Sequence, residues 1–89
     1  MKHQASKVRR QAVLIRDAYK CQYCGEPCKS VDHIIPWNWS HNDSLENLVA
    51  ACVVCNSTAG GTKFPSFLEK KDYILRRRAK QAARKGKRG

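Results

Sequence analysis

The chain has no transmembrane run, no secretory leader pattern, no internal repeat and few acids. The first absence excludes a helical membrane span. The second, with Lys2, His3 and Gln4 directly after Met1, makes a reducing, cytoplasmic compartment the expectation. In such a compartment, paired cysteines point to zinc rather than to disulfides. Aspartate and glutamate number 7 against 18 lysines and arginines, which is the footprint of a polyanion binder. An anionic membrane surface is the weaker alternative partner, because no segment joins a broad apolar face to the basic one. Length is scarce too. The 89 residues make one domain, 1–89, with a core expected over about 16–75 and a basic tail over about 76–89. Domains below about 70–80 residues rarely bury enough apolar area without a staple.

The staple is to be sought among five cysteines. Four form two Cys-x-x-Cys pairs, Cys21 with Cys24 and Cys52 with Cys55. Cys28 is left over, either as a free thiol or as a ligand competing with Cys24. Two such pairs suit a tetrahedral structural zinc, and a closed four-thiolate shell leaves no open position for substrate or water. The gap between the pairs, Gly25 to Ala51, is longer than in a simple zinc ribbon, so something is built inside it.

The periodicity predicts a helix over 2–19. Its apolar stripe is Val8, Ala12, Ile15 and Tyr19, with Leu14 and Ala18 beside it, and core packing is its expected role. Lys7, Arg9, Arg10 and Arg16 lie mainly off that stripe and either touch phosphate or are solvated. Cys21–Gly25 reads as a tight turn in which Gly25 tolerates positive φ. Within Val31–Ile35 the strand formers Val31, Ile34 and Ile35 surround Asp32 and His33, and Pro36 ends the run. Alternation puts Asp32 on one face and His33 on the other unless a bulge re-aims one.

Trp37–Ser44 reads as a polar, aromatic loop. Core packing suits one tryptophan, and a DNA groove is an option for the other. His41 is either a third active-site group or solvated. Leu45–Ala51 reads as the return strand, with Asn47 marking its start. Cys52–Ala59 reads as a short helix stopped by Gly60-Gly61, its cysteines sharing a face. Ser66 and Glu69 form a capping box for a last helix from about Phe67 to the low eighties. Phe67, Leu68, Ile74 and Leu75 are its apolar pattern, with the stem of Lys71 on the same stripe. Lys85–Gly89 is expected to be disordered in the free protein.

Three segments in order carry a resemblance. They are Arg16-Asp17-Ala18-Tyr19-Lys20-Cys21-Gln22-Tyr23-Cys24-Gly25, then Val31-Asp32-His33-Ile34-Ile35-Pro36, then Glu46-Asn47-Leu48-Val49-Ala50-Ala51-Cys52 followed by Cys55-Asn56. Together they resemble an HNH nuclease over roughly Arg16 to Gly61, and the Phe67–Arg78 helix is similar to the continuation in small stand-alone members. The resemblance implies a small α+β fold. Its ββα-metal core would be backed by the four-cysteine zinc site and flanked by N- and C-terminal helices. It also implies that His33 is the general base, that Asp32 and Asn56 hold a catalytic Mg²⁺ or Mn²⁺, and that Asn47 fixes the loop and orients His33. Asn56 stands where many members carry a histidine, which makes this chain similar to the HNN-type variant.

The chemistry is consistent on its own terms. Phosphodiester hydrolysis needs an activated water and a cation on the phosphate. A histidine near its ordinary pKa accepts a proton at neutral pH, and Asp and Asn offer the oxygen ligands that suit Mg²⁺ or Mn²⁺. Three functions follow as expectations: a metal-dependent endonuclease on double-stranded DNA, a zinc-stapled module that binds nucleic acid without cutting it, or a nuclease subunit directed by a partner such as a phage packaging complex. In each, Arg76, Arg77, Arg78, Lys80 and Arg84 are expected to neutralise phosphates.

Overall fold

A computed structural model describes residues 4–60 and 62–86. Ser6 opens the first helix, α1 (Lys7–Arg16), by accepting the Arg9 N–H on its side chain at 3.2 Å. The helix is shorter than the predicted 2–19, of which residues 2–3 lie outside the described residues. Ala18 and Tyr19 both have positive φ, 56° and 55°, and the Tyr19 N–H turns back to Leu14 O at 2.8 Å. The expected stripe is also wrong. Val8, Ala12, Ile15 and Tyr19 are exposed, and the buried side chains are Val13 and Leu14. Ending at Arg16, the helix needs only those two adjacent residues to reach the sheet.

The reason for the stop lies in Arg16 and Asp17. The Arg16 guanidinium grips the Asp17 carboxylate through Nε and Nη2, at 2.8 and 2.9 Å. It also donates to Leu45 O and Leu48 O, at 2.9 and 2.6 Å. Asp17 Oδ2 in turn accepts the Ala50 N–H at 2.9 Å. One ion pair thus ties the end of α1 to the return strand. Burial alone would raise the Asp17 pKa, but the bonds from Arg16 and from the Ala50 N–H outweigh it and hold the carboxyl below its ordinary value.

The sheet has two antiparallel strands, β1 (Val31–His33) and β2 (Leu48–Ala50), in the register Val31 with Ala50, Asp32 with Val49 and His33 with Leu48. Both strands are shorter than expected. Ile34 and Ile35 leave the ladder to bond Asn47, and Leu45–Asn47 is a 3₁₀ turn rather than strand. The stretch read as a loop begins with a single helical turn, α2 (Trp37–Ser40), which Pro36 precedes and His41 ends in a left-handed conformation, φ 49°. Pro suits that entry because its fixed φ costs a helix start nothing.

Helix α3 (Val53–Ala59) starts one residue later than expected. Cys52 is its N-cap, with its sulfur accepting the Cys55 N–H, and Gly60 ends it at φ 57°. Helix α4 (Phe67–Gly86) starts at the predicted place, with Ser66 Oγ accepting the Glu69 N–H at 3.3 Å. It runs through Lys85 and Gly86, which were expected to be disordered; the rest of that expectation, 87–89, lies outside the described residues. Its inward positions are Phe67, Lys70, Ile74 and Arg78, whereas Leu68 and Leu75 are exposed. Those four residues stand three or four apart, so one face of α4 lies against both the sheet and the cysteines. The core between these layers is Leu14, Tyr23, Val49, Ala50, Ala51, Ala59 and Ile74, with Val13 and Leu48 in a smaller cluster under α1.

Candidate active site and metal centre

The sulfurs of Cys21, Cys24, Cys52 and Cys55 all lie within 4.8 Å of one another. A Zn–S bond of about 2.3 Å puts the edge of a tetrahedral S₄ site at about 3.8 Å. The separation of Cys24 Sγ from Cys52 Sγ is 3.7 Å. The donor set fits zinc, and the cluster can hold a metal ion of that kind. Each pair is a turn in which the later N–H aims at the earlier sulfur, Cys24 N to Cys21 Sγ at 3.5 Å and Cys55 N to Cys52 Sγ at 3.4 Å.

Burial raises the Cys21 thiol pKa, but the backbone N–H groups around it, that of Cys24 foremost, outweigh it and bring the value to about 7. Burial pushes Cys55 up, and Arg78 Nη1, 3.3 Å from its sulfur, opposes that shift. Arg78 therefore points into the molecule at a thiolate position. Cys28 stands outside the group, its sulfur 4.0 Å from Ser30 O.

Between the two cysteine turns lies the β1 strand, and its two polar residues part as alternation requires. Asp32 is buried. Its Oδ2 accepts the Tyr23 hydroxyl at 2.7 Å and faces Lys70 Nζ at 2.8 Å. Burial, with the Asp32 carboxylate adding to it, pushes the Tyr23 pKa up, so that hydroxyl stays protonated and donates. Lys70 is 2% exposed, and its ammonium also donates to His33 O and Ile34 O, at 2.8 and 3.0 Å. Three acceptors match the three donors of an ammonium, the condition under which a lysine can be buried charged.

His33 takes the other side. Its Nε2 lies 2.6 Å from Asp43 Oδ1, and both side chains are mostly shielded from solvent. The Trp37 ring packs 6.2 Å from the imidazole and meets His41 edge-on at 4.9 Å. His33 and Asn56 line one cleft of about 190 Å³ with Arg10, Lys29 and Ser30. Asp32 is not among its lining residues, its carboxylate being turned to Tyr23 and Lys70.

Asn47, 5% exposed, holds the loop between them. Its Oδ1 accepts the Ile35 N–H at 2.9 Å, and its Nδ2 donates to Ile35 O and Asn42 O, at 3.1 and 2.9 Å. The Asn42 bond fixes the residue next to Asp43. Of the basic residues expected on the tail, Arg76 pairs with Asp72 at 3.1 Å, Arg77 lies over the Tyr73 ring at 5.8 Å, and Lys80 is exposed. Arg84 belongs to α4, and its side chain lies outside the described residues. Trp39 is the exposed tryptophan, with Lys63 Nζ 4.0 Å from its ring centre.

Asp43 and Lys70 escaped the sequence reading. Asp43 sits in an aperiodic loop, and only its nearness to a turn-forming Asn hinted at a fixed position. Lys70 carried no signal, because a lysine inside a basic helix reads as solvated.

The comparisons agree with this architecture. Residues 21–61 match the model of the family described as HNH endonuclease. The chain is also similar to the CRISPR-associated endonuclease Cas9 of Corynebacterium diphtheriae, 39% identical over 54 residues. That match takes in 55% of this chain and 5% of the relative's length. No solved structure matches the chain significantly.

Proposed function

We propose that this chain, with its HNH endonuclease domain over residues 21–61, hydrolyses phosphodiester bonds in double-stranded DNA with His33 as the general base. The observation that carries the reading is the placement of His33. Its imidazole lies at the wall of a basic cleft that also holds Asn56, and its Nε2 is engaged by Asp43 at 2.6 Å. A proton held on Nε2 toward Asp43 would make Nδ1 the atom that takes a proton from the attacking water. Asp43 fixes the tautomer, as a carboxylate does in many histidine bases, and Asn47 fixes the loop that bears Asp43. A zinc in the four-cysteine site would tie the turn before β1 to the start of α3.

A divalent ion of the Mg²⁺ or Mn²⁺ kind supplies charge neutralisation on the phosphate when bound. Asn56 offers an amide oxygen in the cleft. Asp32 Oδ2 meets the Tyr23 hydroxyl and the Lys70 ammonium, and Asp32 would offer its other carboxylate oxygen, Oδ1, to the ion. Arg76, Arg77 and Lys80 are exposed along α4 and would add affinity for the backbone without reading sequence. The test is relaxation of supercoiled plasmid by the purified, zinc-loaded chain. The expected result is nicking that requires added Mg²⁺ or Mn²⁺. Binding without cutting under any divalent ion would leave a nucleic-acid-binding module as the better description.

A further inference from the structure

The cleft beside His33 has an imbalance of charge that the base alone does not explain. Arg10 and Lys29 both line it, and no carboxylate does. Arg10 comes from α1, outside the matched segment of residues 21–61. Its Nε is buried with no hydrogen-bond partner, the one side-chain nitrogen or oxygen in that condition among the described residues. A buried, unpartnered donor on a charged group is costly, and native structures retain one where a ligand completes it. The volume, about 190 Å³, is several times the ~30 Å³ share of one water, which admits a phosphate group. Guanidinium is the side chain that matches phosphate oxygens with paired donors.

We propose that this cleft seats the phosphodiester group itself, and that Arg10 binds one of its non-bridging oxygens beside His33. Helix α1 then belongs to the reactive centre as well as to the scaffold. Lys29 supplies a second positive charge in the lining, and Asn56 lines the same cleft. The phosphate would lie within reach of both the base and the cation, which is the placement that in-line attack by a water requires. This rests on the nuclease reading for its chemistry, but the binding it predicts is separable from turnover.

The experiment has two arms on the full zinc-loaded chain. In the first, the side-chain N–H signal of Arg10 Nε, assigned by its loss in R10K, is followed by ¹⁵N NMR. The probes are thymidylyl-thymidine, the smallest phosphodiester, and inorganic phosphate. A saturable shift with the diester is expected. No shift at millimolar diester, or a shift with inorganic phosphate alone, overturns the proposal. In the second arm, R10Q is expected to lower the nicking rate by about 10²-fold at saturating DNA, with R10K recovering part of it. R10Q nicking at the wild-type rate also overturns it. Should R10Q melt early, R10K and the NMR arm decide. Should the wild type prove inert as a nuclease, the shift with the diester still supports the site, and its absence still refutes it.

Discussion

On one side of β1, Asp32 is enclosed, with a hydroxyl and an ammonium on a single carboxylate oxygen. On the other, His33 lines a cleft and meets the Asp43 carboxylate of a loop. The first arrangement resists change because the interior group is already paired. The second places an imidazole in the lining of a cleft. Adjacent residues of one three-residue strand thus divide the work, Asp32 fastening α4 to the sheet and His33 facing the cleft. The two sides meet at Lys70, whose ammonium binds the Asp32 side chain and the His33 carbonyl together.

The largest perturbation erases both sides at once. Removal of the zinc, or Cys52→Ser, should unfold the domain. Structural zinc in small modules carries about 10–16 kcal/mol of apparent binding free energy, more than a core of this size supplies. Circular dichroism reads the outcome, and a cooperative melt of the metal-free chain would contradict it. Next in size is a change confined to the cleft side. His33→Ala should leave the chain folded and its DNA affinity unchanged while plasmid nicking slows by about 10²–10⁴-fold. Wild-type nicking by that variant would end the catalytic assignment.

The third change strikes the interior side. Lys70→Met leaves the Asp32 carboxylate buried without its cation, and breaking such a pair costs about 3–5 kcal/mol. Adding Asp32→Asn should recover part of the loss, since no unpaired charge then remains. If the double variant melts no higher than Lys70→Met, the pair is not the source of the stability. The smallest change touches neither side directly. Asp17 has a folded pKa held below the ordinary 3.8 by Arg16 and the Ala50 N–H. Its contribution is therefore full above about pH 4 and is lost as the pH falls through the depressed value. Asp17→Asn should cost roughly 1 kcal/mol at neutral pH, because Arg16 is partly exposed, and should flatten the acid limb of the stability curve. An unchanged acid limb in urea titrations would place that sensitivity elsewhere.

Strand parity and cysteine spacing were legible in the chain. Both follow from local geometry, the two-residue repeat that parts Asp32 from His33 and the Cys-x-x-Cys turn that aligns two sulfurs. Helix α1 was misread because Val8, Ala12 and Ile15 satisfy the same spacing rule as a core stripe. The rule cannot tell which of two stripes meets the sheet when the helix is ten residues long. Lys70, Asp43 and Arg78 depend on contacts between segments far apart in sequence: Arg78, expected on a phosphate, instead donates to Cys55 Sγ, and Lys70 and Asp43 gave no pattern to read. The site was thus readable where it is local and hidden where it is assembled.

The whole β hairpin lies inside the loop that the cysteines close, from Cys24 to Cys52. Bringing two distant segments together costs entropy that grows with the length between them, whichever contact does it first. An ion that gathers both cysteine turns meets most of that cost before β1 and β2 touch. The strands are three residues each, and a hairpin of that length has little stability alone. A chain with an ion at the cysteines would form its hairpin from a short tether, and a metal-free chain would have to form it from an open coil.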